Sequence, residues 1–248
     1  VPHSLPLPSS TLRDAFSSNA AQNPQATAIQ YFDRSISFAE LDHLSSQMAA
    51  LLARMGVGPG DRVALSLQNN PQFAIAQLGA WKRAAAIVPL SPMYKEEELE
   101  YQLADSGAKA WIGLDSLYAG PAAAALAKAG VSNVITTNEL DFATSGPLPA
   151  TLAHSHKLHL PETADLVTEL ARLQPHSGHL LPLGLNDLAH IVYTSGTTGK
   201  PKGAMGLHRH IAFNSNVFRT WMDLRPGHDS VLGMAPLFHI TGLVAHLG

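Results

Sequence analysis

Cysteine is absent from the chain, which removes disulfides, thiolate zinc sites and cysteine nucleophiles together. That absence fits a reducing compartment without requiring one. Charge is scarce too: 14% of the 248 residues are Asp, Glu, Lys or Arg, against roughly 25% in an average soluble domain. The 16 basic residues are outnumbered by 19 acidic ones, for a net charge of −3. Such a surface offers little to a polyanion, so no nucleic-acid partner is expected. No stretch approaches the run of about 20 apolar residues that crosses a bilayer, and the first ten residues lack a basic region followed by an apolar one. Neither a transmembrane segment nor a secretion signal is expected, and the location read from this is intracellular and cytoplasmic. A peroxisomal address past Gly248 stays open. The first residue is Val1 instead of Met, which reads as trimming.

What is present suits a folded core. Hydrophobic residues make up 46% of the chain, with 19 Gly and 17 Pro, a composition that excludes disorder, collagen and a disulfide scaffold. Ser37-Phe38-Ala39-Glu40 has the form of a capping box, and Leu41, Leu44, Met48, Leu51, Leu52 and Met55 follow at helical spacing up to a terminating Gly56. Residues 62–67 read as a strand, Asn70-Pro71 as a helix cap, and 73–82 as a helix. The alternation continues with a strand at 86–90, a helix at 95–105, a strand at 109–114, an Ala-rich helix at 116–129 and a strand at 133–136. Residues 145–182 read as a surface excursion holding one helix at 164–173. Strands at 189–193, 203–207 and 230–235 and a helix at 209–222 complete the pattern. Strands alternating with helices imply an α/β fold, a parallel sheet flanked by helices, because parallel strands need crossover connections.

Directly after one strand stands Tyr193-Thr194-Ser195-Gly196-Thr197-Thr198-Gly199-Lys200-Pro201-Lys202-Gly203. Glycine lets backbone approach a ligand, while amides, hydroxyls and ammonium groups are what oligophosphate oxygens require. The string reads as a phosphate-gripping loop. It is not a Walker A loop, which would need Gly at position 194 and Ser or Thr at 201, where Thr194 and Pro201 stand.

The string resembles the signature loop of the adenylate-forming (AMP-binding) superfamily, which includes acyl-CoA synthetases, luciferases and peptide-synthetase adenylation domains. Further blocks agree in order: Ile36-Ser37-Phe38-Ala39-Glu40-Leu41, the stretch 79–90 ending in Val88-Pro89-Leu90, and Pro236-Leu237-Phe238-His239-Ile240-Thr241-Gly242. The last block is most like fatty or aromatic acid:CoA ligases. The resemblance implies an ATP-dependent ligase that joins a small-molecule carboxylic acid to AMP, releasing pyrophosphate, and then transfers the acyl group to CoA. It gives phosphate-binding roles to Thr194, Ser195, Gly196, Thr197, Thr198, Gly199, Lys200 and Lys202, and catalytic roles to Lys202 and His239. Phe238, His239, Thr241 and Gly242 would shape the acyl pocket. Mg²⁺ is implied with its ligand past residue 248, and no metal ligand is assigned within this segment.

By the same resemblance, residues 1–248 form part of the N-terminal AMP-binding domain, with the remainder of that domain and the C-terminal lid domain lacking. The piece alone is expected to be inactive, and its severed surfaces to self-associate. Three alternatives stay open: a non-catalytic nucleotide- or acyl-binding module, an adenylating enzyme with an acceptor other than CoA, and an interaction element. Two departures stand out. Arg83-Ala84 replaces a usual Ala-Gly, and His210 replaces a usual Asn after the signature.

Other polar groups have plainer readings. On sequence alone His239 divides between a hydrogen-bonded interior histidine and a site residue. His154, His156 and His159 lack an acidic or cysteine partner at matching spacing, so a metal site is not assigned to them. Glu96, Glu97, Glu98 and Glu100 read as a solvated helix face, and Trp81 and Trp111 as core fillers.

Overall fold

The computed structural model describes residues 4–247 except 144, 145, 147, 149, 151, 175–179, 195–198 and 226. The Thr11 hydroxyl caps α1 (Leu12–Gln22) through the amide of Asp14, and β1 (Thr27–Tyr31) pairs antiparallel with β2 (Arg34–Ser37). Sequence periodicity had indicated none of these three elements. At the start of α2 (Phe38–Arg54) the Ser37 hydroxyl accepts the Glu40 amide at 3.1 Å, as the capping box requires. The reciprocal half is missing, because the Glu40 carboxylate takes the Arg34 guanidinium at 2.6 Å instead. Gly56 has the left-handed φ of 75° that ends the helix.

β3 (Arg62–Ser66), α3 (Pro71–Lys82), β4 (Ala86–Pro89), α4 (Glu96–Ser106) and β5 (Ala110–Leu114) follow in the expected alternation. Asn70 accepts from the Phe73 amide at 3.2 Å, and Pro71 sits in the first turn, where its missing N–H is harmless. The Ala-rich stretch is not one helix. It breaks into α5 (Asp115–Leu117), a π-turn over Tyr118–Ala122 and α6 (Ala123–Ala129), because Gly120 precedes Pro121 and leaves helical geometry at φ −101°, ψ −115°.

β6 (Asn133–Thr137) continues the sheet, and the excursion contributes a short strand, β7 (Ala164–Asp165), whose Asp165 caps α7 (Leu166–Arg172). Two residues are too few to show a strand period. β8 (Leu188–Thr194), β9 (Lys202–Leu207), α8 (His208–Trp221) and α9 (Ile240–Leu247) close the described chain.

The main sheet has seven strands in the order β7-β6-β5-β3-β4-β8-β9. All pairs are parallel except β8 with β9, which is antiparallel. Only residues 195–201 join those two strands, too few for the crossover that a parallel pair would need. Alternate residues serve two cores: Val63, Leu65 and Ile112 face α2 and α3, while Ala64, Val88 and Trp111 face α4 and α6. Trp81 and Trp111 are the fillers expected, and both are buried with the indole N–H satisfied by the Ala189 carbonyl and the Ser66 hydroxyl.

The expected strand at 230–235 does not form. Val231, Leu232 and Met234 are exposed, and apolar alternation cannot make a strand where no neighbouring backbone pairs with it.

Candidate functional site

Strands β3, β4, β5, β6 and β8 all end at one edge of the sheet. The chain leaving β3 enters α3 on one face, and the chain leaving β4 enters α4 on the other, so the loops diverge and open a crevice above the carboxyl ends. A cleft of about 580 Å³ lies there, lined among others by Tyr31, Phe32, Asn69, Met93, Glu139 and Phe238. The Tyr31 hydroxyl donates to the Glu139 carbonyl at 3.2 Å, and burial, helped by the Glu139 charge, pushes its pKa up to about 12. Tyr31 is therefore a fixed donor at neutral pH.

The hydroxyl- and lysine-rich string forms a hairpin at this edge. Tyr193 faces Gly203 and Thr194 faces Lys202 across β8 and β9, bounding the turn. Gly203 is required by packing, since a Cβ there would lie 2.7 Å from the Ile191 side chain. The base of the turn is fastened to α4. The Tyr193 hydroxyl donates to the Asp105 carboxylate at 2.6 Å, and the Tyr101 hydroxyl donates to the Pro201 carbonyl at 2.9 Å. Burial and then Asp105 raise the Tyr193 pKa, keeping the phenol protonated. Lys200 Nζ lies 5.0 Å from the centre of the Tyr101 ring. Among the described residues neither Lys200 nor Lys202 pairs with a carboxylate, although nine other Lys and Arg side chains do. Lys202 stands opposite Thr194, and Lys200 precedes it by two residues, so the exit of the turn carries two ammonium groups of the kind that suits an oligophosphate. Ser195, Gly196, Thr197 and Thr198 lie outside the described residues.

The second predicted block is tied to the same edge. Asn69, three residues beyond the end of β3 at Ser66, donates to the Gly233 and Ala235 carbonyls at 2.8 and 2.9 Å and accepts the Leu237 amide at 2.8 Å. Leu237 is buried in the core and Phe238 lines the cleft. His239 is exposed in this chain, and its Nδ1 accepts the Thr241 amide at 3.4 Å at the start of α9. Thr241 is exposed. Gly242 is buried against the Ala235 and Pro236 carbonyls, where a Cβ would collide with backbone. Continuing the register of Val63 with Ile87 and of Ile87 with His190 puts Thr194 level with Leu67. With β4 between them, the ends of β3 and β8 are about 10 Å apart by the usual strand spacing. Both blocks therefore attach to the same edge of the sheet, and of the two only the second, through Pro236 and Phe238, lines the described cleft.

Beneath the hairpin lie two buried histidines. His190 occupies the space beside Gly206 that a Cβ would fill, and His208 packs edge-on against Trp81 with ring centres 5.1 Å apart. Among the described residues, His190 Nδ1 and both His208 nitrogens have no hydrogen-bond partner. Burial lowers both pKa values to about 4, with His210 near His190 and Arg13 near His208 as smaller causes. His210 itself accepts the Leu207 amide at 3.2 Å, standing in for the usual Asn at the start of α8. The motif reading did not single out His190, His208 or Asn69. The Asn69-Asn70-Pro71 run carried a signal only for the second Asn, whose cap is local.

The sequence model of the family described as AMP-binding enzyme matches residues 16–248. A long-chain-fatty-acid–CoA ligase of Bacillus subtilis is 34% identical to this chain, with 99% of the chain and 45% of that protein aligned. Tyrocidine synthase 2 of Brevibacillus parabrevis is 30% identical over 87% of the chain and 5% of its own length. Among solved structures, a long-chain-fatty-acid-CoA ligase from Archaeoglobus fulgidus superposes with a TM-score of 0.78 at 25% identity, covering 98% of this chain and 45% of that one. The chain thus spans a little under half the length of these two ligases.

Proposed function

Because the chain belongs to the AMP-binding enzyme family, we propose that it is the N-terminal portion of an ATP-dependent acid:CoA ligase. Residues 1–248 would form part of the N-terminal domain, with the rest of that domain and a C-terminal lid following. The observation that carries this reading is the hairpin bounded by Thr194 and Lys202, with two unneutralised lysines at the carboxyl edge of a parallel sheet. The ligase names of relatives at 34% and 33% identity support the acceptor CoA.

In the first step a carboxylate oxygen forms a bond to the α-phosphorus of ATP, and the bond to the departing pyrophosphate breaks. Two anions must meet, so positive charge has to be in place beforehand. Lys200 and Lys202 supply it, with Thr194, Ser195, Gly196, Thr197, Thr198 and Gly199 wrapping the β- and γ-phosphates. The clamp of Tyr193 and Tyr101 on α4 holds the base of the hairpin while charge moves onto pyrophosphate. Phe238, Thr241 and Gly242 shape the acyl pocket, and His239 stands beside the carboxylate. In the second step the CoA sulfur bonds to the acyl carbon and AMP leaves. Mg²⁺ bound by residues past 248 would neutralise phosphate charge.

The test is exchange of labelled pyrophosphate into ATP, with a panel of fatty, aromatic and dicarboxylic acids, by the polypeptide of the complete reading frame. Acid-dependent exchange is expected there and is expected to be absent from residues 1–248 alone. A folded complete protein that exchanges with no acid overturns the reading. Trp221, Leu232 and Met234, 67–77% exposed, support self-association of the 248-residue chain. Sedimentation should show mass rising with concentration, and a monomer throughout would refute that part.

A further inference from the structure

We infer that Asn69 is a positioning residue for the acyl-side block, a side-chain clamp on the bend formed by residues 233–237. This deepens the ligase reading and rests on it. Asn69 sits between the end of β3 and Asn70, which caps α3, so a strand terminus and a capped helix hold its backbone. Its carboxamide spends both donor protons and its oxygen on the Gly233 carbonyl, the Ala235 carbonyl and the Leu237 amide. The segment bends at 235 and turns at 237–238, which folds three of its polar groups around one carboxamide. Those contacts span 164 to 168 residues of sequence.

The consequence falls on the next two residues. With the Leu237 amide on Asn69 and its side chain in the core, the register of Phe238 in the cleft and of His239 at the start of α9 is set. Gly233 and Met234 are exposed and Ala235 is half-buried, so removing the clamp loosens this stretch without emptying the core. Orientation of an acyl group tolerates little displacement, and a misplacement of about 1 Å can lower a rate about 100-fold.

Two measurements test this. On residues 1–248, hydrogen–deuterium exchange of the peptide covering 231–242 should quicken in Asn69→Ala and in the near-isosteric Asn69→Asp. Asp keeps an acceptor for Leu237 but sets oxygen against two carbonyls. Unchanged protection in either folded variant overturns the clamp, whatever the reaction proves to be. In the complete enzyme, Asn69→Ala should raise KM for the acid, or lower kcat/KM for it, by about 10- to 100-fold, while KM for ATP stays within about twofold. A general loss of folded protein would instead lower kcat with both KM values kept. That result, or wild-type kinetics, overturns the positioning role. Wild-type enzyme inert toward every acid overturns the ligase reading itself, and the acyl-side role with it.

Discussion

The Tyr193 hydroxyl donates to the Asp105 carboxylate at 2.6 Å, so the residue that opens the hydroxyl-rich turn is fastened to the last turn of the helix beside it. The tie joins residues 88 positions apart and makes the geometry of the turn depend on α4. Tyr193→Phe should lower stability by about 1–2 kcal/mol, as for loss of a charge-assisted hydrogen bond. It should also speed proteolysis within 194–202. Chemical denaturation and limited digestion read both, and a wild-type digestion pattern would show that the tie does not restrain the turn.

Ala84 holds a φ of 53°, in the region where an L-residue costs roughly 1–2 kcal/mol. The Ala84 carbonyl accepts the Gly60 amide at 3.0 Å, and the Gly that the family resemblance implies here would hold this φ without strain. Ala84→Gly should raise stability by about 0.5–1 kcal/mol after the greater entropy of unfolded glycine is offset. Thermal unfolding should shift up by about 2 °C. A variant no more stable than the parent would mean that the turn carries no strain.

His190 and His208 stay neutral in the folded chain because burial lowers their pKa values to about 4, below the ordinary 6.5. The unfolded chain binds protons at these sites once pH falls below about 6.5. Their contribution is therefore complete above that pH and is lost as pH drops toward about 4, by about 3 kcal/mol per histidine. Asp14 and Asp187 oppose the shift at His208, while Arg13 and His190 add to it. Urea midpoints from about pH 7 to about pH 5 should fall steeply in the parent and by roughly half as much in His208→Leu. Parallel curves would disprove the assignment.

Lys202 lies at the exit of the hairpin without a carboxylate partner among the described residues. In the complete enzyme, Lys202→Ala should slow adenylate formation by about 100-fold, the scale for removing one group that stabilises developing charge. Thr197→Ala should impair the same step. Single-turnover formation of acyl-AMP reads this, and unchanged rates at low and saturating ATP would remove both residues from the phosphate site.

Much of this protein was written locally. Capping by Ser37 and Asn70, the left-handed stop at Gly56 and the run of strand and helix from 62 to 114 depend on neighbours within one or two turns, so the order of residues alone determined them. The signature string and the Phe238-His239 block were likewise legible as words. Only the folded chain decided that β9 runs antiparallel, that 230–235 is held by an asparagine instead of a strand, and that both blocks lie at one edge of the sheet. The physical reason is range. Periodicity and capping are satisfied within a few residues, whereas Asn69 and Leu237 find each other only after the sheet has brought together positions 168 residues apart.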